Sequence, residues 1–284
     1  MNTIKLMLFP IICSALMSCG DKNVSDDGET TDSHVPSGYE LVWADEFDRS
    51  PDGLPDSEWW FETGGSGWGN NEPQYYVDRL RETDTVAKVQ NGILTITAFK
   101  LAQPFTENGK QFDIISARMN TVKSWKYGYF EAKLKVAGGR GTWPAFWMMP
   151  QHFTAWPLDG EIDIMEYVGY RPDVTQASVH CQTYNHAEGN GKTNTHSAPK
   201  AEYKFYTYSL LWTENEIVAY IEGIEYFRYE NDRRNDKGTW PFNAPFYLKL
   251  NLAIGGNWGG QQGIDPAIFP ARYEIDYVRV YQKK

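Results

Sequence analysis

Phe130-Glu-Ala-Lys-Leu-Lys-Val136 alternates strictly between apolar and polar side chains. Successive side chains on a strand point to opposite faces, so this stretch predicts a β-strand with one face buried and the other in water. The same reading extends outward along the chain. Ile93-Leu-Thr-Ile-Thr-Ala-Phe99 is rich in β-branched residues and follows the turn pair Asn91-Gly92. Residues 216–222 and 224–229 read as a hairpin turning at Glu222-Gly223. Further strands are expected at 178–182, 207–212, 246–253 and 273–282. From Tyr39 onward no segment carries a helical period over about ten residues. Many short strands without crossover helices exclude a parallel α/β fold. They predict an all-β protein of one domain, a two-sheet antiparallel sandwich or barrel.

Composition agrees with a globular body and narrows its partners. The 284 residues carry 27 Lys+Arg against 37 Asp+Glu, a net charge of −10. That balance argues against a nucleic-acid partner, because phosphate binding needs a cationic field. Aromatic residues make up 15%, including 11 Trp and 18 Tyr. Such a surplus suits flat rings meeting flat ligands, although a large β core also consumes aromatics. Cys13, Cys19 and Cys181 lack metal-ligand spacing. Only Cys181 falls in the body, where its strand-like setting predicts a buried, inert thiol.

The amino terminus reads separately. Lys5 precedes an apolar run from Leu6 to Met17, interrupted by Pro10. The run is too short to span a bilayer as a mature helix and has the layout of a signal peptide. Leu16-Met17-Ser18-Cys19-Gly20 resembles a bacterial lipobox, which implies cleavage before Cys19 and its acylation; an ordinary secretory signal with an incidental Cys would share the apolar run. Residues 1–18 are then a lipoprotein signal peptide, 19–38 an acidic, acylated, flexible tether, and 39–284 the folded domain. An acidic stretch after the acylated Cys resembles surface-export signals of some Gram-negative lipoproteins. The expected location is the outer membrane, on the cell surface, held by lipid. A monomer is expected.

The chemistry is concentrated in Trp156-Pro-Leu-Asp-Gly-Glu161-Ile-Asp163-Ile-Met-Glu166-Tyr-Val-Gly169. On a regular strand Glu161, Asp163 and Met165 share a face and Glu166 points away. A β-bulge at about Ile164 and Met165 would return Glu166 to the face of the other acids. Two alternation steps then separate the outer pair by about 6–7 Å of backbone. That suits a retaining glycosidase, whose carboxyls lie roughly 5–5.5 Å apart, better than an inverting one. Repulsion among three acids would split their pKa values, leaving one protonated and another ionised. A solvated acidic strand edge would show the same spacing.

Glu161-Ile-Asp163-Ile-Met-Glu166 also resembles the signature of glycoside hydrolase family 16, in its bulged form. Around it stand Gly64-Gly-Ser-Gly-Trp-Gly-Asn70-Asn-Glu-Pro-Gln-Tyr75, Ser116-Ala-Arg118, Tyr127-Gly-Tyr-Phe-Glu131, Trp143-Pro-Ala-Phe-Trp147 and Asn251-Leu-Ala-Ile-Gly-Gly-Asn-Trp258. Together, and in this order, they resemble the laminarinase branch over roughly residues 39–282. The resemblance implies a concanavalin-like β-jelly roll, two curved antiparallel sheets with a substrate cleft on the concave face. It implies a retaining, endo-acting enzyme on β-1,3-glucan, mixed-linkage β-1,3/1,4-glucan, or both. By position, Glu161 is the nucleophile that forms a covalent glycosyl-enzyme, Glu166 the acid and then the base, and Asp163 a hydrogen-bond partner of the nucleophile. Asn70, Arg118, Trp143, Trp147, Trp156, His180 and Trp258 are the implied substrate-binding residues.

Several of these have a plainer reading beside the functional one. Trp143 and Trp147 share a strand face and make a platform for sugar rings, or core packing. Trp258, among glycines, reads as a contact residue that the resemblance puts on the non-reducing side. His180 follows the acidic strand, where the family often has a His near the acid/base, or it is structural. His34, His152, His186 and His196 form no ligand set, and no cofactor is expected for catalysis. The resemblance implies one structural Ca²⁺ on the convex side, held by Glu46, the Gly92 carbonyl and Asp276, all hard oxygen donors; three unrelated strand-end residues would look the same. Two other functions compete. A galactan hydrolase of the same family often meets sulfated polymers, which favour a cationic cleft. A non-catalytic glucan-binding module loses its acids, whereas Glu161 and Glu166 are both present.

Overall fold

The alternating stretch is a strand, Gly128–Lys135. Phe130, Ala132 and Leu134 are fully buried, while Lys133 and Lys135 face outward. The computed structural model describes residues 34–50 and 53–284; the signal peptide, Cys19 and most of the tether lie outside the described residues.

The strands form two large sheets and one two-stranded ribbon. The ten-stranded outer sheet has the alternating strand near its middle, between Tyr206–Trp212 and the carboxy-terminal Ala271–Lys283. The seven-stranded sheet runs Lys192–Ser197, Val174–His180, Glu161–Tyr167, Thr142–Pro150, Phe246–Ile254, Arg118–Thr121, Trp59–Phe61. Phe146, Met148, Ile162, Leu248 and Leu250 from this sheet meet Phe130 and Leu134 in one buried core. Each such side chain contributes about 1.5–3 kcal/mol on burial. Between the core residues of this sheet, Ala145, Trp147, Met149, Lys249 and Asn251 face the cleft. This is the two-sheet antiparallel sandwich that the strand pattern predicts, in the jelly-roll form that the resemblance implies.

Turn chemistry explains the hairpins. Asn91 and Gly92 (φ 54° and 75°), Asn108 and Gly109 (49° and 76°), and Glu222 and Gly223 (49° and 72°) pair two left-handed residues. That conformation matches the twist of the strands it joins. Two features differ from expectation. The strand starting at Ile93 runs to Glu107, well past Phe99, and pairs with Lys110–Ser116 through the Asn108-Gly109 turn. Tyr75–Tyr76 pairs with that second strand in parallel, covering its exposed edge. Among the described residues the α-helix is limited to Gly256–Gly259. Cys181 is free and buried, and burial pushes its thiol up, as an inert core thiol requires.

Candidate active site

The acidic strand Glu161–Tyr167 lies beside the tryptophan strand Thr142–Pro150, and the register between them slips. Asp163 faces Trp147 and Met165 faces Phe146, so Ile164 has no opposite residue. On the other side Asp163 pairs with Ser178 and Glu166 with Gln176, leaving Ala177 against Ile164 and Met165. This is the bulge the acid spacing demands. Ile164 and Met165 are both buried in the core, and Glu161, Asp163 and Glu166 all line the cleft. The bulge is secured from both sides: the Tyr226 hydroxyl, from the opposite sheet, donates to the Ile164 carbonyl at 2.5 Å, and Thr175 Oγ1, on the neighbouring strand, donates to the Glu166 carbonyl at 3.3 Å.

Each outer carboxylate has its own indole donor. Trp156 Nε1 donates to Glu161 at 2.8 Å, and Trp143 Nε1 donates to Glu166 at 3.1 Å. The loop presenting Trp156 is tied by Asp159, which accepts from Thr154 N, Thr154 Oγ1 and Ala155 N at 2.6–2.8 Å. Gly160, at φ 89°, enters the acidic strand where a Cβ would lie 2.9 Å from Pro241 and 3.0 Å from Phe242. Only glycine fits that turn.

Burial, and then the charge of Glu161, pushes Asp163 well above the usual carboxylate range. Burial, then Asp163 and Glu161, does the same to Glu166, with His180 opposing. A carboxyl held protonated near neutral pH is what a general acid requires. His180 Nε2 lies 3.2 Å from Asp163 Oδ2 but out of hydrogen-bond alignment. In register it stands opposite Glu161, so it sits at the Glu161 end of the strand and not at the Glu166 end, where the resemblance puts a His. Ligand atoms of Glu161, Asp163 and His180 lie within 4.8 Å of one another.

Asn70, Arg118, Trp143, Trp147 and Trp156 all line the same cleft. Arg118 sits between the rings of Trp68 (4.7 Å) and Trp147 (4.9 Å) and is ion-paired with Glu62. Trp147 Nε1 donates to Asn251, Asn251 Nδ2 to the Tyr76 hydroxyl, and that hydroxyl to Glu72. Trp258 is half-buried in the short helix and packs edge-on against Trp143 at 5.3 Å, so it buttresses the cleft wall. The neighbour that its glycine surroundings concealed is Trp143.

Sequence reasoning missed Glu62, Lys249, Tyr247 and His186. Lys249 is fully buried, bonded to Glu62 (2.9 Å) and Asn120 (2.5 Å). Burial, then the Arg118 charge, pushes it down to about 7. Burial alone would raise Glu62, yet Arg118 and Lys249 hold it below its ordinary value. His186, expected in a loop with no ligand set, lies tilted against Trp156 at 4.9 Å and edge-on to His180 at 5.0 Å. Asn185 positions it by capping the turn His186–Glu188. Asn185-x-x-Glu188, a cap pattern, was the legible signal.

Of the three positions that the resemblance assigns to calcium, Glu46 and Gly92 lie close together. Glu46 follows the strand Tyr39–Asp45, which pairs with the carboxy-terminal strand near Asp276, and Gly92 faces the Glu46 carbonyl, 4.0 Å from an ideal Cβ. Both carboxylates are otherwise engaged, Glu46 by Arg279 at 2.7 and 2.9 Å and Asp276 by Lys133 at 2.8 Å. A cation there would take the backbone oxygens and compete with Lys133 for Asp276.

A β-sandwich with paired carboxyls across a cleft floored by indole rings defines a glycoside hydrolase. The chain belongs to glycosyl hydrolases family 16, whose pattern matches residues 69–279. It is 45% identical over 255 residues to a "Beta-glucanase" of Rhodothermus marinus, covering 86% of this chain and 85% of that one. It superposes on the laminarinase of Rhodothermus marinus with a TM-score of 0.79 at 43% identity, covering 87% and 98% of the two chains. On SCLam, a non-specific endo-β-1,3(4)-glucanase, the TM-score is 0.81 at 43% identity, covering 88% and 93%.

Proposed function

We infer that this chain is a retaining, endo-acting hydrolase of β-1,3-glucan and mixed-linkage β-1,3/1,4-glucan. The carrying observation is the bulge at Ile164 and Met165, which aims Glu166 into the cleft beside Glu161. The Glu161 carboxylate attacks the anomeric carbon as the glycosidic C–O bond breaks, and Glu166 gives its proton to the leaving oxygen. Water then attacks the glycosyl-enzyme, its proton passes to Glu166, and the Glu161 ester bond breaks. Asp163, held protonated, donates to Glu161 and keeps the nucleophile oriented. The relatives' activities on β-glucans support this reading.

The cleft also disfavours a sulfated galactan. Its two cations, Arg118 and Lys249, are both bound to Glu62, and Glu72, Glu161, Asp163 and Glu166 line the same space. Reducing-sugar release from laminarin, barley glucan and agarose is the test: cleavage of the first two is expected, and cleavage of agarose alone would defeat the reading. Proton NMR of the first product should show the β-anomer; initial α-product would mean an inverting site.

The protein's setting is proposed on sequence grounds. Acylation of Cys19 anchors a monomeric enzyme to the outer face of the outer membrane, where polymeric glucan is accessible. Full-length protein should partition into detergent and incorporate a fatty-acid analogue, and Cys19→Ala should not. Protease shaving of intact cells should remove the enzyme; full protection would put it in the periplasm. A structural Ca²⁺ at Glu46, Gly92 and Asp276 should raise the melting temperature of EDTA-treated protein, and an unchanged melting curve would exclude it.

A further inference from the structure

The cleft floor does not end at the residues around the carboxylates. One row of paired residues crosses the sheet from Asp163 through Trp147, Lys249 and Asn120 to Trp60. Four strand spacings separate the ends of this row, about 19 Å. The aromatic surface continues along it. Lys249 Nζ lies 4.9 Å from the Trp147 ring and 5.1 Å from the Tyr247 ring, and the Tyr247 ring lies 6.0 Å from that of Trp60. Trp147 and Tyr247 line the cleft, and Trp60 stands just beyond it.

Trp60 has no part in the core. Its neighbour Trp59 turns inward and is 1% exposed, with its Nε1 bonded to Asp45 at 2.7 Å, while Trp60 turns the other way and is 41% exposed. Holding an indole in water on the last strand of the sheet forfeits its burial. A ring there, tilted against a cleft-lining Tyr and in register with the cleft-lining Asp163, Trp147 and Lys249, is placed where a bound polymer would emerge.

We propose that Trp60, supported by Tyr247, forms a distal subsite for the β-glucan chain, several sugar rings from the point of cleavage. The proposal rests on the β-glucanase reading of the cleft. Its occupant is the substrate itself, because the strip continues the catalytic groove in register. The exposed indole face takes the C–H face of a pyranose ring and adds binding only when the chain is long enough to reach it. It changes no bond, so it acts on affinity equally in the ground and transition states.

The test compares a long soluble β-1,3-glucan with a β-1,3-linked trisaccharide on wild-type protein, Trp60→Ala and Trp60→Phe. Trp60→Ala should lose about five- to tenfold in kcat/KM on the polymer, through KM, with kcat held. The trisaccharide should be cleaved as by wild type, and Trp60→Phe should keep most of the polymer activity. In native gels containing the glucan, Trp60→Ala should migrate less retarded than wild type. Equal loss on both substrates, or none on the polymer with unchanged retardation, would overturn the proposal. A wild-type protein that cleaves neither substrate would instead overturn the β-glucanase reading.

Discussion

The two halves of the cleft are built from opposite chemistry on one sheet. At the acidic strand, three carboxyls crowd one face, and burial with mutual repulsion makes Asp163 and Glu166 hold their protons. Two strands away, two cations share one carboxylate beneath aromatic rings, and Lys249 is pushed toward giving its proton up. Both halves bury charge, but like charge in one and opposite charge in the other. Crowding like charges yields a group that changes protonation during a reaction. Interleaving opposite charges with rings yields a fixed surface that orients a neutral ligand. Chemistry belongs to the first half and grip to the second, and the following variants separate the two.

The largest effects should come from the acidic half. Glu161→Ala removes the proposed nucleophile, and turnover should fall by about four orders of magnitude or more with an unchanged circular-dichroism spectrum. Azide should restore cleavage as an inverted glycosyl azide; an active Glu161→Ala enzyme would end the assignment. Glu166→Gln should slow polymer hydrolysis by about 10²–10⁴-fold, and much less for an aryl glycoside with an acidic leaving group. Equal loss on both would count against proton donation.

A middle-sized effect should come from behind the acidic strand. Ile164 lies out of register with both neighbouring strands, and the buried Tyr226 hydroxyl serves its carbonyl from the other sheet. Tyr226→Phe leaves that carbonyl unsatisfied, a loss of about 1–3 kcal/mol. The bulge then relaxes and Glu166 turns from the substrate, so kcat should drop about tenfold with KM held, measured well below the melting transition. Unchanged kcat alongside a lower melting temperature would mean that the bulge holds itself.

The hairpins at Asn91-Gly92 and Glu222-Gly223, the strand alternation and the bulge were readable because each is a local rule of backbone geometry. The bulge was legible from one displaced acid, Glu166, which a regular strand would turn away from Glu161 and Asp163. The cationic half was not legible, since Glu62, Arg118 and Lys249 come from three segments and meet only through sheet register. Within the strand Phe246–Ile254 nothing in the sequence marks Lys249 for burial; that follows from Trp147 and Tyr247 flanking it. The turn that brings His186 against Trp156 closes across a long loop, and spacing along the chain carries no record of that contact.

The smallest effect gives the sharpest contrast between the halves, because their pH dependences should have opposite signs. Glu166 has a folded-state pKa raised above the ordinary 4.5. Below the unfolded value the group is neutral in both states; as pH rises toward the folded value only the unfolded chain ionises, and wild-type stability falls. Glu166→Gln removes that loss, so its stability relative to wild type should grow as pH rises above about 4.5. Lys249 is the reverse, with a folded value near 7 against an ordinary 10.5. Above the unfolded value it is neutral in both states, and as pH falls the unfolded chain takes up the proton first. Lys249→Met should therefore gain on wild type as pH falls from about 10.5 to about 7 and change little from Lys249 below that. Any constant offset from losing the bonds to Glu62 and Asn120 cancels, because only the slope of the difference is read. Urea unfolding at several pH values measures both slopes. Slopes of the same sign would mean that burial of charge works alike in both halves and would remove the distinction drawn between them.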